Sequence, residues 1–381
     1  MGKNSRKRIV LLGCTGSIGS STLSVVRAHK DLFDIVAVSA HTNEEKLLSI
    51  ANEFGVSSLA LSGKQPLHKA VGYHGQAGLL DMVRDTDADI VVNGIAGAAG
   101  LKSSVAAIET GKDLGLANKE TMVIAGGLIK ELASKHGTRI LPVDSEHAAL
   151  FSLLEKTEPC NVRTLLLTAS GGAFRDLPVE QLADVTWRDA LAHPTWNMGK
   201  KITIDSASMA NKGLEILEAC ELFDMPESRV EVVIHPRSCI HGMITTIDGS
   251  VYAQMSLPDM RIPIQNALSY PDLIPYPFDR IDFTDLELNL HAPDCNRYPC
   301  LALARQAAQT GGIHPLVFNA ANEVAVEAFI GEQIGFTDIP RVISYCLDGN
   351  WENLLGSFDH IEELDKKARE RASEYVRAIY T

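Results

Sequence analysis

Arg8-Ile-Val-Leu-Leu-Gly-Cys-Thr-Gly-Ser-Ile-Gly19 joins an apolar run to three evenly spaced glycines, and a helical pattern follows from Ser20 to about His29. This order of strand, glycine loop and helix is that of a nucleotide-binding α/β unit. Small residues let the backbone approach a pyrophosphate, and the helix N-terminus supplies N–H groups and the positive end of its dipole. A tight structural turn would also use the glycines, but the flanking elements favour a dinucleotide. Working outward, residues 34–39, 89–92, 113–117 and 139–143 are further short apolar runs, mostly β-branched, separated by helical patterns. They predict a doubly wound, Rossmann-like parallel sheet with helices on both faces. Each predicted strand is followed by small or polar residues: Gly13 to Gly19, Ala40-His-Thr-Asn43, Asn93-Gly-Ile-Ala-Gly97, Asn118-Lys-Glu120 and Asp144-Ser-Glu-His147. In a parallel sheet these segments share one edge, where open α/β folds bind ligands.

The chain has 381 residues, enough for two or three domains, with 45% hydrophobic and 22% charged residues. A formal charge of −13 argues against a nucleic-acid surface. An anionic substrate would need local donors, for which Lys119, His193 and Lys212 are candidates. Seven scattered cysteines without a C-x-x-C pair suit reduced thiols, and Cys14 suits a small filler in the glycine loop. The apolar run after the basic N-terminus is too short for a signal-peptide core, and no stretch nears the roughly 18 residues of a membrane span. A cytoplasmic protein with no membrane or nucleic-acid partner is expected.

After the nucleotide-binding domain (1–144), residues 145–272 mix a helix from Ser145 to about Lys156, a strand at 163–168, a helix near 207–223 and strands at 230–234, 243–247 and 251–255. They read as an α+β catalytic domain, with Asp248-Gly249 as a hairpin turn. Residues 273–300 are a connecting segment within a stretch rich in Pro, Asp and Asn. Residues 301–381 carry helical patterns at 301–309, 314–330 and 362–379, a small C-terminal helical domain.

NAD sites usually end their second strand with an acid that holds the ribose diol. Here Ser39-Ala-His-Thr-Asn43 has no acid before Glu44, which favours NADP(H), with His41 and Thr42 available to its 2′-phosphate. Asp144, Glu146 and Glu215 are carboxylates in two segments that can gather one hard divalent cation. Singly, Asp144 and Glu146 are explained as helix-capping residues, and Glu215 as a surface charge. Asn211 and Glu215, however, lie one helical turn apart, with Lys212 adjacent. Glu218 and Glu221 are expected in solvent. Ser170-Gly-Gly172 is either a turn or an anion cradle, and Ser206 is either a helix cap or a phosphate ligand. His193-Pro-Thr-Trp-Asn-Met-Gly199 has the composition of a lid carrying Trp196 and Met198. His235 and His241 are read as structural or supporting.

Six motifs in register along nearly the whole chain resemble the 1-deoxy-D-xylulose 5-phosphate reductoisomerase family. They are Gly13 to Gly19, Leu116-Ala-Asn-Lys-Glu120, Val143-Asp-Ser-Glu-His147, Thr168-Ala-Ser-Gly-Gly172, His193 to Gly199 and Asp205-Ser-Ala-Ser-Met-Ala-Asn-Lys-Gly-Leu-Glu215. The resemblance implies Asp144, Glu146 and Glu215 as metal ligands, for Mg²⁺, Mn²⁺ or Co²⁺. It implies Lys119 and Ser145 at the substrate hydroxyls, and Ser170, His193, Ser206, Asn211 and Lys212 at the substrate phosphate. Lys119, Glu146, His193 and Glu215 would be catalytic. Thr15, Gly16, Ser17, Ile18, Asn118, Glu120 and Gly199 would contact NADPH. Family members often carry Gly-Lys/Arg-Asn where this chain has Ala40-His41-Thr42, so its 2′-phosphate grip would be built differently. The implied reaction converts 1-deoxy-D-xylulose 5-phosphate to 2-C-methyl-D-erythritol 4-phosphate in a homodimer. The residues by themselves leave two alternatives open, a metal-independent NADP dehydrogenase and a nucleotide-sensing protein without turnover.

Overall fold

Lys7–Leu12 (β1) forms from the opening apolar run, and Ile9 to Leu12 are wholly buried, as expected of a strand covered on both faces. The computed structural model describes residues 6–196, 198–284, 286–351 and 356–380. They form two compact units. The first takes the segment up to Thr121, with Ile129–Ala148 and Asp259–Asp279; the second takes Met122–Leu128, Ala149–Pro258 and the segment from Arg280.

In the first unit, β1 leads into Ser17–Ala28 (α1), Phe33–Ala40 (β2), Glu44–Phe54 (α2), Ser58–Leu61 (β3), Tyr73–His74 (β4), Gly75–Asp85 (α3) and Ile90–Asn93 (β5). Leu101–Glu109 (α4), Asp113–Leu116 (β6), Lys119–His136 (α5) and Ile140–Pro142 (β7) follow. All seven strands are parallel, in the order β4-β3-β2-β1-β5-β6-β7. The Rossmann-like expectation is met, and two strands are added to it. The order reverses between β1 and β5, so their loops part there and leave the crevice where such sheets bind ligands. Gly13 sits at this point with φ +72°, and a Cβ on it would lie 2.9 Å from the Gly94 carbonyl oxygen. Only glycine satisfies both constraints.

Ser145–Leu154 (α6) leads toward the second unit, followed by Val162–Ala169 (β8), Trp187–Ala190 (α7), Lys200–Ser208 (α8) and Ala210–Leu222 (α9). Next come Val230–Ile234 (β9), Ile240–Thr246 (β10) and Val251–Met255 (β11). Arg261–Ser269 (α10), which the sequence reading did not anticipate, folds with the first unit, packed on α1, with Gln265 3.1 Å from His29 Nε2. Pro299–Thr310 (α11), His314–Ile330 (α12), Ile339–Leu347 (α13, also unanticipated) and Phe358–Ala378 (α14) complete the chain.

The second sheet has the order β11-β10-β8-β9, with only β8 and β9 parallel. Its buried Leu165, Leu167, Val230 and Ile244 pack with Ile216 and Ala219 of α9 and with Tyr298 and Leu301. Asp248-Gly249 turns the β10–β11 hairpin as expected, with Gly249 at φ +86°. The single helix expected over 207–223 is two helices, broken at Met209, whose φ of 60° is left-handed.

Candidate active site

On the first unit, the glycine loop opens α1 with Gly16 as N-cap, and no side chain caps its first turn. Gly16 and Ser17 are exposed, and Thr15 and Ile18 are half-buried. A Cβ on Gly19 would come within 2.5 Å of the Cys14 backbone, so glycine is what lets the helix close onto the loop. Open N–H groups and an uncapped helix start fit a pyrophosphate. Ala40 is buried, whereas His41 and Thr42 are exposed. Asn118 caps α5 through the Thr121 N–H at 3.0 Å, and its amide donates to the Ile95 and Gly97 carbonyls at 2.7 Å each and to Glu120 at 3.2 Å. These bonds tie together the loops after β5 and β6.

Asp144 and Glu146 stand at the start of α6. Burial pushes the Asp144 carboxyl up, but the Lys119 ammonium at 2.6 Å and the His147 ring at 3.1 Å overcome it and hold it well below the usual carboxylate range. Asp144 therefore stays ionised although only 9% of its side chain is exposed. Ser145 donates to the Glu146 carboxylate. His147 is wholly buried, and its contact with Asp144 was not foreseen, because a histidine three residues past an acid carries no signal of its own.

On the second unit, Glu215 is 1% exposed, so the surface-charge explanation fails. The Asn211 amide and the Lys212 ammonium both donate to its carboxylate. Glu218, expected in solvent, is also fully buried, and Glu221 is half-buried. Helix α9 is covered on several sides by β8, β9 and α11, leaving little solvent face for its carboxylates.

His193, Ser170 and Ser206 form a cluster. The imidazole Nε2 lies 2.9 Å from the Ser170 hydroxyl and 3.2 Å from that of Ser206. Nδ1 accepts the backbone N–H groups of Thr195 and Trp196 at 3.1 and 2.9 Å, so the ring proton belongs on Nε2. Burial, and then the charge of Arg175, lower the His193 pKa, favouring this neutral donor form. Ser206 is not a cap preceding a helix but lies in the last turn of α8, and Gly199 is that helix's exposed N-cap. Arg175, which donates to the Ser170 carbonyl at 3.0 Å, adds a cation that the sequence reading missed. Trp196 and Met198 are half-buried, and the Trp196 ring meets His241 edge-on at 6.3 Å. Asn197 lies outside the described residues. The second unit thus collects an imidazole, two hydroxyls and an arginine as anion donors, with a separate carboxylate bound to lysine.

The chain matches family profiles described as 1-deoxy-D-xylulose 5-phosphate reductoisomerase over residues 9–126, its C-terminal domain over 140–223, and DXP reductoisomerase C-terminal domain over 255–371. It is 46% identical over 371 residues to the 1-deoxy-D-xylulose 5-phosphate reductoisomerase of Leptospira interrogans serovar Lai, covering 95% of each chain. It is 46% identical over 385 residues to that of Geotalea daltonii, covering 98% of this chain and 100% of the relative. Among solved structures, it resembles a DOX-P reductoisomerase in complex with NADPH, fosmidomycin and magnesium, with a TM-score of 0.92, 39% identity and coverage of 98% and 99%. It also resembles the Zymomonas mobilis reductoisomerase in complex with NADPH, with a TM-score of 0.90, 38% identity and coverage of 98% and 100%.

Proposed function

We propose, since the chain belongs to the 1-deoxy-D-xylulose 5-phosphate reductoisomerase family, a division of that reaction among the residues described above. The enzyme is an NADPH- and divalent-metal-dependent oxidoreductase acting on 1-deoxy-D-xylulose 5-phosphate in isoprenoid synthesis. Residues 1–144 carry the nucleotide and contribute Lys119 and Asp144 to the site, 145–272 carry the rest of the substrate and metal chemistry, and 301–381 form a helical domain reached through 273–300.

Asp144, Glu146 and Glu215 hold the metal, which when bound supplies Lewis acidity and a template for the substrate's oxygens. The donor set fits, being three carboxylates of which Asp144 is kept ionised despite burial. Lys119 and Lys212 offset their charge in the protein itself and stand ready to bond substrate oxygens. NADPH supplies the hydride, and its pyrophosphate takes the backbone of Thr15 to Ile18. Ser170, Ser206 and the Nε2–H of His193 grip the phosphate end, with Asn211 and Lys212. Trp196 and Met198 close over the substrate and exclude water.

The observation that carries this assignment is the His193 cluster, where one fixed imidazole proton and two hydroxyls meet at 2.9 and 3.2 Å. Mn²⁺ titration followed by electron paramagnetic resonance tests the metal half: one site is expected, lost in Asp144→Asn and in Glu215→Gln. Unchanged Mn²⁺ binding in both variants would remove these residues from the ligand set. A homodimer is supported by the edge strand β11 and its hairpin, where Val251, Tyr252 and Ile247 are 57%, 51% and 67% exposed. Light scattering that gives a monomer would refute it. Free cysteines suit a cytoplasmic location, and among the described residues no helix is long and apolar enough to cross a membrane.

A further inference from the structure

The ladder between β2 and β3 continues past both strands. Ser62 N–H donates to the Ala40 carbonyl at 3.0 Å, and Gly63 N–H to that of His41 at 2.8 Å. The exposed His41 imidazole thereby meets Ser62, with Nδ1 3.1 Å from the hydroxyl oxygen. It also covers Gly63 so closely that a Cβ there would lie 2.4 Å from the ring. Glu44, the first acid after β2, is 8% exposed and accepts the N–H groups of Leu67 and His68 at 2.8 and 2.7 Å. Lys64 Nζ stands 4.0 Å from the same carboxylate, and its side chain is 44% exposed. The acid that could have accepted ribose hydroxyls is therefore turned inward and fixes the loop after β3. An imidazole, a hydroxyl and an ammonium remain at the two strand ends, beside the N-terminus of α2.

We infer that His41, Ser62 and Lys64 form the pocket for the cofactor's 2′-phosphate, with Glu44 positioning the loop that carries Lys64. The grip is thus shared between the ends of two strands. Lys64 and His41 supply the donors that suit a phosphate dianion, and Ser62 holds the imidazole's orientation. This inference rests on the placement of the dinucleotide at the same sheet edge.

The test is equilibrium binding to the substrate-free, full-length protein, following NADPH and NADH fluorescence and, by calorimetry, 2′,5′-ADP and 5′-AMP. A charge-assisted hydrogen bond to a phosphate is worth on the order of tenfold in affinity. Wild-type protein is expected to prefer NADPH, and Lys64→Ala to cut the NADPH:NADH affinity ratio about tenfold. Gly63→Ala, which displaces the His41 ring, should lower the same ratio and the 2′,5′-ADP:5′-AMP ratio together. Ratios unchanged within about twofold in both variants, or parallel weakening of both dinucleotides, would overturn the inference. If wild-type protein binds NADPH and NADH equally, there is no 2′-phosphate pocket to assign. If it binds neither, the placement of the nucleotide fails first and this inference with it.

Discussion

A carboxylate removed from water needs a counter-charge or a proton, and Glu215 finds that counter-charge within its own helix. Its neighbours Asn211 and Lys212 stand where a cation and a polar substrate would otherwise have to compensate it. Glu215→Gln keeps the shape but leaves the buried Lys212 beside a neutral amide. Removing one partner of a buried pair costs ~3–5 kcal/mol, and the retained amide hydrogen bond moves the cost toward the lower end. The variant is therefore expected to melt several degrees lower in metal-free buffer, to lose the upward shift that Mg²⁺ gives the wild type, and to lose at least about a hundredfold in turnover. Wild-type turnover at saturating Mg²⁺ would return Glu215 to a purely structural role. His241 carries a different prediction. Burial pushes its pKa down to about 4, although the carbonyls of Ser256 and Leu257 pull it up. The unfolded chain binds this proton near pH 6.5, so the stabilisation is complete above that value and is lost as pH falls toward 4. The loss is on the order of 3 kcal/mol. His241→Gln should shrink the fall in urea midpoint between pH 7.5 and 4.5. An equal fall in variant and wild type would mean that His241 does not titrate this way.

At the scale of elements, the strand ends were the legible part. The runs leading to Gly13, Ala40, Asn93, Asn118 and Asp144 are short, apolar and bounded by small or polar turns, and all became parallel strands with those turns on one edge. Tyr73–His74 escaped because two residues are too few to show a period, and both it and Ser58–Leu61 gain their stability from neighbours in the sheet. Missing β3 hid Ser62 and Lys64. The break at Met209 escaped for another reason: Ala207-Ser-Met-Ala-Asn211 has no glycine or proline, and packing imposes the left-handed residue. That break sets the last turn of α8, with Ser206, apart from the first turn of α9, with Asn211 and Lys212. The segment between His193 and α8 tests gating against packing. A core tryptophan cut to alanine costs ~3–5 kcal/mol, whereas the half-buried Trp196 has the edge of His241 as its ring partner. Trp196→Ala should shift melting slightly without substrate and lower kcat/KM at least about tenfold. A large melting drop with unchanged kinetics would make Trp196 a core residue.

Across the whole molecule, function was read from motif order and the structure supplied what order cannot: burial. A list of residues does not distinguish a solvated Glu218 from one with no exposed surface, because helix α9 owes its covering to segments far away in sequence. Arg175 against Ser170 and His147 against Asp144 are local contacts, within one turn of loop and helix, and they too depend on a backbone conformation that residue order does not show. What the chain as a whole must do is spend NADPH on 1-deoxy-D-xylulose 5-phosphate with the help of a divalent cation. The most direct measurement is NADPH oxidation by purified protein with this substrate, before and after exhaustive chelation and after Mg²⁺ or Mn²⁺ is restored. One NADPH consumed per substrate, abolished by chelation and recovered with the metal, is the expected result. Turnover that survives chelation, or no NADPH consumption with this substrate at any metal concentration, would contradict it.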